Sequence, residues 1–363
     1  MDTTIGDQNV YSHETMAYFE DNISLGYALK ANVGLHYSNF LVQNQFYNSL
    51  QPRLGLRVLI NDKLSFKAGY AYMSQYIHLL SNSNISFPTD LWVPVTKRIV
   101  PMQSHQFSVG AYYNLLDLFD LSIESYYKSM NNLIEYKAGA TFFGPSTGWE
   151  DKVSTGRGWA YGIEFMAQKT VGKTTGWVGY TWSKSERLFD REGEVLNNGV
   201  VFPAKYDRRH DLSIVVSHKF SERIDLSATW VISTGSAGTL ALHEYAGTDV
   251  PYTYSNSGGT GEKQVGISSI YNSTLPYVSS RNNFRYEPYQ RLDVGVNFNK
   301  QLKHGKRTWN ISVYNAYNQL NPFITTVSTK YIANPDGSSS DKKSLVQYSI
   351  FPFLPSVSYT YKF

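Results

Sequence analysis

Cysteine is absent from this chain of 363 residues, and charged residues make up only 17% of it. Without cysteine, neither a disulfide framework nor a thiolate metal site can form. The net charge of +4 is spread along the sequence, so no basic patch predicts binding to nucleic acid. No apolar run reaches about 18 residues, which excludes transmembrane helices. Soluble domains carry about a quarter charged residues, so the composition is also unusual for a soluble protein.

Aromatic residues are abundant by contrast, at 15% of the chain, and tyrosine alone contributes 29 residues. An excess of Tyr and Trp is typical of proteins that present aromatic girdles to both interfaces of a membrane. The mean hydropathy of −0.35 is nevertheless mildly polar, as expected when every second strand residue faces water. A tyrosine-rich soluble β-sandwich is the alternative that composition leaves open.

Apolar and polar residues alternate with a period of two in twelve or thirteen segments, and helical periodicity is almost absent. One segment shows the pattern clearly, with an apolar face of Trp159, Tyr161, Ile163 and Phe165 and an opposite face of Gly158, Gly162, Glu164 and Gln168. Such alternation suits a sheet with hydrocarbon on one side and water on the other. A soluble sandwich alternates too, so the pattern alone does not decide between the two folds.

Short and long connections alternate along the chain, and this decides the fold. The tight turns lie near residues 27–30, 61–63, 115–117, 171–174, 221–223 and 303–306. The long polar loops cover about residues 41–49, 78–105, 139–156, 187–208, 234–288 and 319–346. Bacterial outer-membrane barrels have short periplasmic turns and longer extracellular loops. The sequence therefore predicts an all-β fold, an antiparallel transmembrane β-barrel in the bacterial outer membrane.

The strand count predicts that the barrel is incomplete. About 13 strands run from Met16–Leu25 to Leu354–Phe363, so the first and last have the same direction. Single-chain bacterial barrels have an even count, and an unpaired strand in lipid leaves backbone groups unsatisfied at several kcal/mol each. We therefore expect residues 16–363 to be the C-terminal portion of a larger barrel, after a loop remnant at residues 1–15. Because no export signal follows Met1, we expect the natural N-terminus to lie upstream.

Several stretches resemble the C-terminal barrel half of TonB-dependent outer-membrane receptors of the Bacteroidetes type. They occur in the expected order along nearly the whole chain: Gln51–Arg57, Tyr76–Leu80, Asp90–Pro94, Glu124–Lys128, Ala160–Glu164, Tyr206–Asp211, Thr234–Gly235 and Phe351–Pro355. The closing strand also resembles the insertion signal of such barrels, with aromatic residues at Tyr359, Tyr361 and Phe363. These three residues are therefore expected to direct folding by the barrel assembly machinery.

The resemblance implies a barrel of about 22 strands with a plugged lumen. The plug and the motif that contacts TonB would lie outside this sequence. It also implies energised uptake of a scarce solute, such as an iron chelate, a cobalamin, or a glycan or peptide fragment. Outer-membrane lipid and TonB are then the expected partners, and a surface lipoprotein lid is a further partner that the resemblance leaves open.

Charged residues on the inward face are candidates for a network that contacts the plug or the solute. Arg53 and Arg57 share one face of their strand, and we expect Glu124 and Glu164 to belong to the same lumen network. In the Tyr206–Asp211 cluster, alternation places Asp207 and Arg209 together on one face. The alternatives are a solvated lumen wall for the first set and, for the second, a rim ion-pair network that orders the loop.

The large loops hold the candidate ligand contacts. They are aromatic or histidine side chains among small polar residues, a mixture that suits recognition: Trp92, His243, Tyr245, Tyr252, Tyr254 and Tyr271. Each of them can instead belong to an interface girdle or pack within its own loop.

Motifs for catalysis or metal binding are poor, so no enzyme, cofactor or metal is expected. His210 and Ser213 lie on opposite faces of a strand, and the eight histidines show no H-x-x-x-H spacing. Two other functions stay open at this point. One is a self-contained diffusion channel of about 14 strands, which needs an unrecognised strand before Met16. The other is a surface adhesin or soluble β-protein.

Overall fold

The computed structural model describes residues 10–81, 90–138, 140, 148–241, 243–246, 274–333 and 339–363. Within these ranges the strands, numbered β1 to β22 in chain order, are Ser12–Leu25, Leu29–Val42, Gln45–Leu59, Leu64–Gln75, Ile77–Leu80, Leu91–Pro94, Met102–Leu115, Phe119–Tyr136, Val153–Lys169, Thr174–Leu188, Phe202–Pro203, His210–Lys219, Ile224–Ser233, Ala237–Gly238, His243–Ala246, Thr274–Tyr277, Phe284–Arg285, Tyr289–Leu302, Gly305–Tyr314, Ile324–Ala333, Ser339–Tyr348 and Leu354–Lys362. Two short 3-10 helices lie in loops, at Trp149–Lys152 and Asn197–Gly199. None of the described helices is both long and apolar enough to cross a membrane.

Fourteen of the described strands form one antiparallel sheet; thirteen of them lie on a continuous path, which we call the wall, and the short β11 pairs with β10 beside it. The order of the wall strands is β1, β2, β3, β4, β7, β8, β9, β10, β12, β13, β18, β19 and β22. Each wall strand pairs with the wall strands before and after it in the sequence, so the sheet is an up-and-down meander. The all-β antiparallel fold and the predicted number of strands are confirmed. The described sheet is open, because β1 and β22 are its two edges and do not pair with each other.

The predicted tight turns are confirmed, but one of the predicted long loops is wrong. β2 continues to Val42 and β3 begins at Gln45, so only two residues connect them where a loop at 41–49 was expected. Those residues, Gln43 and Asn44, have φ angles of 46° and 62°, the conformation that two-residue hairpin turns require. The polar residues in this stretch obscured the start of a strand, in which Phe46 and Leu50 are the alternating apolar residues. The first wall strand likewise begins at Ser12, before the predicted Met16.

The two faces of the wall differ in chemistry. Residues paired across antiparallel strands point to the same face. The pairing therefore joins one apolar row across β4 to β10, made of Phe66, Ala111, Ile123, Phe165 and Tyr180. The adjacent row points the other way and consists of Lys67, Gly110, Glu124, Glu164 and Thr181. Phe165 is 45% exposed, so the apolar row is not sealed against a second sheet, as a soluble sandwich would require.

Buried apolar side chains collect at the end of the wall that carries the long loops. We call this region the loop layer. It contains three clusters, formed by Leu80, Val93, Ile99, Ile134, Tyr136 and Val153, by Phe40, Val42, Tyr76 and Val95, and by Leu133, Phe189, Leu196 and Phe202. β8 and β9 have 18 and 17 residues, whereas a strand needs about 9–11 to cross a bilayer. Their extra length extends past the apolar band and supports the loop layer.

The assignment of faces predicts a strong contrast between two neighbouring positions on β18. Val296 lies in the apolar row with Leu226 and Ile311, and Asn297 lies on the inner face. Val296→Arg places a charge in hydrocarbon near mid-strand and is expected to cost about 2–4 kcal/mol of folding free energy. Asn297→Arg should be much milder, because the new guanidinium faces the carboxylate of Asp225. Reversible unfolding in detergent or lipid measures both variants. Equal losses would mean that the faces are misassigned.

Candidate functional site

The predicted lumen charges lie on the inner face of the wall, and three of them fall in a single row. Arg57 pairs with Lys67, and the same row continues through Gly110 to Glu124 and Glu164. Arg53 lies in a different row, between Gly34 and Ala71. Within the described residues no ion pair joins either arginine to either glutamate. On the inner face their charges are therefore not paired with each other.

Glu124 is held by an aromatic neighbour on the same face. The hydroxyl of Tyr112 donates a hydrogen bond of 2.6 Å to Oε1 of Glu124. The ammonium of Lys67 lies 3.8 Å from the centroid of the Tyr112 ring, where it makes a cation–π contact. Gly110 is needed beside this cluster, since a Cβ there would stand 2.8 Å from Cγ of Glu124. Arg57, Tyr112 and Glu124 line a cavity of 400 Å³ on the inner face.

A second part of the inner face is uncharged over most of its area and is cross-linked by amide side chains. The carboxylate of Asp225 accepts hydrogen bonds from Asn297 at 2.7 Å and from Asn299 at 2.6 Å. Asn297 in turn accepts one from Asn310 at 2.8 Å, and Asn299 accepts one from Thr308 at 2.8 Å. Sequence reasoning did not single out this ladder, although alternation along β18 had already placed Asn297 and Asn299 on the polar face.

Asp207 forms an ion-pair hub where the chain passes from the loop layer into β12. Its side chain is fully buried, with 0% exposure, and it contacts the guanidinium groups of Arg209, at 3.2 Å, and of Arg285. The backbone N–H of Ser185 donates a further hydrogen bond of 2.6 Å to Asp207. Asp207 and Arg209 lie before β12, which begins at His210, so their contact arises in the loop and not from the strand alternation that was predicted. Ordering of the loop and contact of these residues with a plug both stay predictions.

Glu135, at the end of β8, forms a second hub that sequence reasoning missed. Its carboxylate is 1% exposed and pairs with Arg187 at 2.5 Å and with Arg281 at 3.3 Å. Arg281 comes from the return segment of the largest loop and also lies over the ring of Phe202. Burial lowers the pKa of the Arg281 guanidinium, and the neighbouring Glu135 carboxylate opposes that shift. No local motif marks this pairing, because the two residues are 146 positions apart.

The loop layer encloses a polar cavity of 480 Å³ next to Arg281. Its lining includes Tyr136, Lys137, Asn197 and Thr239. Asp90, which directly precedes β6, contacts the ammonium of Lys205 at 3.0 Å and the hydroxyl of Tyr206. Extended strands, two carboxylate hubs and three apolar clusters therefore hold several loops in a fixed arrangement around a cavity.

The structure places the predicted ligand contacts separately. Trp92 lies on β6 and is 62% exposed. His243 and Tyr245 lie on β15, which pairs with β16. Tyr252, Tyr254 and Tyr271 lie outside the described residues. His210 lies on the outer face, where its ring contacts the hydroxyl of Tyr180 at 2.8 Å, while Ser213 pairs with Gly179 on the inner face. In the part of the chain that is described, no three His, Asp or Glu residues gather into a metal site.

Comparison with known sequences gives one family. The sequence model of the family described as "TonB dependent receptor-like, beta-barrel" matches residues 2–318. No curated protein matches the chain.

Comparison with solved structures gives transport receptors of bacterial outer membranes. The chain is similar to the ferripyoverdine receptor of the outer membrane of Pseudomonas aeruginosa, with a TM-score of 0.56 and 13% identity over 97% of this chain and 39% of that one. For the ferric-catecholate import receptor Fiu of E. coli the TM-score is 0.54, with 11% identity over 97% and 45% of the two chains. For the FrpB iron transporter of Neisseria meningitidis it is 0.54, with 15% identity over 86% and 42%. At these identities the likeness shows the fold, and the chain spans less than half the length of each receptor.

The Glu135 hub generates a prediction about the stability of the loop layer. Glu135→Gln leaves two guanidinium groups without their carboxylate. Breaking a buried ion pair typically costs about 3–5 kcal/mol, and we expect the local stability of the loop layer to fall by an amount near the lower end of that range. Hydrogen exchange should then quicken in the strands that the hub joins. The matched control is Asp190→Asn, which breaks the exposed Arg157–Asp190 pair of 2.7 Å and should cost under about 1 kcal/mol. Similar exchange in the two variants would contradict a structural role for the hub.

Proposed function

Because the chain belongs to the TonB-dependent receptor-like β-barrel family, we propose that it forms part of the wall of a receptor that takes up a scarce solute with energy from TonB. Barrels of this family lie in the bacterial outer membrane, and the two faces of the wall suit that place. The observation that carries the proposal is the combination of a lipid-compatible outer face, a charged inner face and a folded loop layer above them. A diffusion channel needs no such layer, and an adhesin needs no charged inner face.

We also propose that further strands and a plug complete the barrel. β1 and β22 occupy the first and thirteenth places in the wall, so they run in the same direction and cannot continue an antiparallel ladder with each other. Unpaired edges in hydrocarbon would cost several kcal/mol for each unsatisfied backbone group. Additional strands, to about 22 in total, would remove both edges and leave a lumen wide enough for a plug. The described wall would then be the C-terminal part of the barrel.

The inner-face charges are proposed to contact the plug or the passing solute. Arg53, Arg57 and Glu164 are exposed on this face, and Glu124 is half-buried but held in place by Tyr112. Such groups remain available to a partner in the lumen, because they are not neutralised by one another. Asp207 and Arg209 lie where the wall meets the loop layer, and they fix the loop layer relative to the wall.

The solute is proposed to bind in the loop layer, and an anionic iron chelate is the class to test first. Two of the similar receptors are named for ferric ligands, a ferripyoverdine and a ferric catecholate. The 480 Å³ cavity carries Lys137, which makes no ion pair in the described part of the chain. The remaining candidate contacts are those predicted from sequence: Trp92, His243, Tyr245, Tyr252, Tyr254 and Tyr271. The likeness to the Bacteroidetes type and a lipoprotein lid stay predictions.

Uptake of a labelled ferric chelate tests the proposal. Deleting the gene that encodes this chain should abolish uptake under iron limitation, and the full-length gene should restore it only in cells with functional TonB. Lys137→Glu should weaken uptake at least about fivefold, since reversing one charge in a cavity costs about 1 kcal/mol or more. Lys330→Glu on the β20–β21 hairpin is the matched control. Restoration without TonB would favour the diffusion channel, and TonB-dependent uptake of a cobalamin or glycan alone would replace the iron chelate.

The closing strand generates a separate prediction about assembly. Tyr359 contacts the ring of Trp309, with centroids 4.8 Å apart, whereas Phe363 is fully exposed and its ring lies 6.3 Å from that of Tyr361 on the same strand end. If Phe363 serves recognition by the assembly machinery, its deletion from the full-length protein should reduce the heat-modifiable barrel in the outer membrane severalfold. Phe363→Trp keeps the aromatic ring and should assemble normally. Normal amounts of barrel after deletion would rule out this role.

A further inference from the structure

A groove of 470 Å³ lies on the outer face of the wall, across β7 to β10. Two small residues create it, because Ala111 and Ala167 occupy adjacent rows that are otherwise filled by large side chains. Tyr113, Phe165 and Tyr180 form its sides. The groove is therefore a depression in the surface that the bilayer covers, and its lining is almost wholly apolar.

A cation lies beyond the end of this groove that is nearer the tight turn. Lys169 follows Ala167 by two residues on β9, so it points to the same outer face about 7 Å closer to the tight turn. Its ammonium donates to the carbonyl oxygens of Val171, at 2.8 Å, and of Thr174, at 2.7 Å. Because an ammonium has three N–H donors, one remains for an outside acceptor.

Two acidic residues near this rim, Asp117 and Asp120, are engaged elsewhere. Asp117 pairs with Lys63 at 3.4 Å, and Asp120 is on the inner face, where it accepts a hydrogen bond from Asn114 at 2.8 Å. Among the described residues Lys169 makes no ion pair. The next position on the outer face adds polar groups, since Thr174 contacts the ring of His218 at 2.7 Å. Past the groove, beside the tight turn between β9 and β10, the outer face thus carries a positive charge that has no ion-pair partner among the described residues.

We propose that this groove binds one anionic phospholipid of the periplasmic leaflet. An acyl chain lies between Tyr113 and Phe165, over the two alanines, and the phosphate accepts a hydrogen bond from Lys169. The charge selects an anionic headgroup, and the depression holds the chain more tightly than the flat apolar face beside it. The inference rests on the position of the outer face in lipid and does not depend on which solute the receptor carries.

The test measures lipid retained by the full-length receptor, purified in detergent and supplied with phosphatidylglycerol or phosphatidylcholine, by native mass spectrometry. Ala167→Phe fills the groove and should abolish preferential retention of phosphatidylglycerol. Lys169→Gln keeps the groove and should reduce that preference about fivefold, as expected for the loss of one cation near an anionic headgroup. The matched controls are Ala228→Phe and Lys300→Gln, which make the same changes on the outer face of β13 and β18. Both should retain lipid like the unchanged protein.

Heat-modifiability of each variant shows that the barrel has assembled, and Lys169→Gln keeps the test valid if Ala167→Phe does not assemble. Equal retention of the two lipids, or equal losses in the groove and control variants, would overturn the proposal. A dimer that Ala167→Phe removes, with no lipid retained, would instead identify a second copy of the chain as the occupant. None of these results depends on solute uptake, so failure here is distinct from failure of the proposed function.

Discussion

Backbone pairing in a medium without water is the constraint on which the rest of this structure depends. Every N–H and C=O that crosses hydrocarbon must find a partner within the protein, and a continuous antiparallel ladder is the solution that strands offer. A single-layer wall then has no interior of its own. Each residue meets either lipid or the lumen according to whether its position is odd or even. Phe165 and Glu164 are neighbours in the sequence and yet face two different solvents.

Among the described residues, the buried apolar clusters lie in the loop layer. The long strands β8 and β9 carry their alternation out of the bilayer, where a second set of segments covers one face and a dry core becomes favourable. Buried carboxylates complete this region. Glu135 and Asp207 each bind two arginines, and the largest loop contributes one arginine to each hub, Arg281 and Arg285. A loop of that length is otherwise costly to order, so its return segment is fixed at two points.

Much of the wall could be predicted from sequence, because its rules are local. Alternation assigned the faces of β9 and β18, and turn residues located most hairpins. The turn at Gln43 and Asn44 was missed because the polar residues around it predict a loop, and the sequence does not reveal the positive φ angles that make a two-residue turn. The two carboxylate hubs could not be predicted from the sequence, for a different reason. Glu135 and Arg281 are 146 positions apart in the sequence, and no spacing rule connects them.

The two-point attachment of the largest loop has a consequence for how the cell surface would be recognised from outside. Segments that are far apart in sequence, among them those with Tyr136, Leu196 and Ser280, lie together around one cavity. An antibody that binds across this cavity would therefore recognise a discontinuous epitope and would fail on the denatured chain or on synthetic loop peptides.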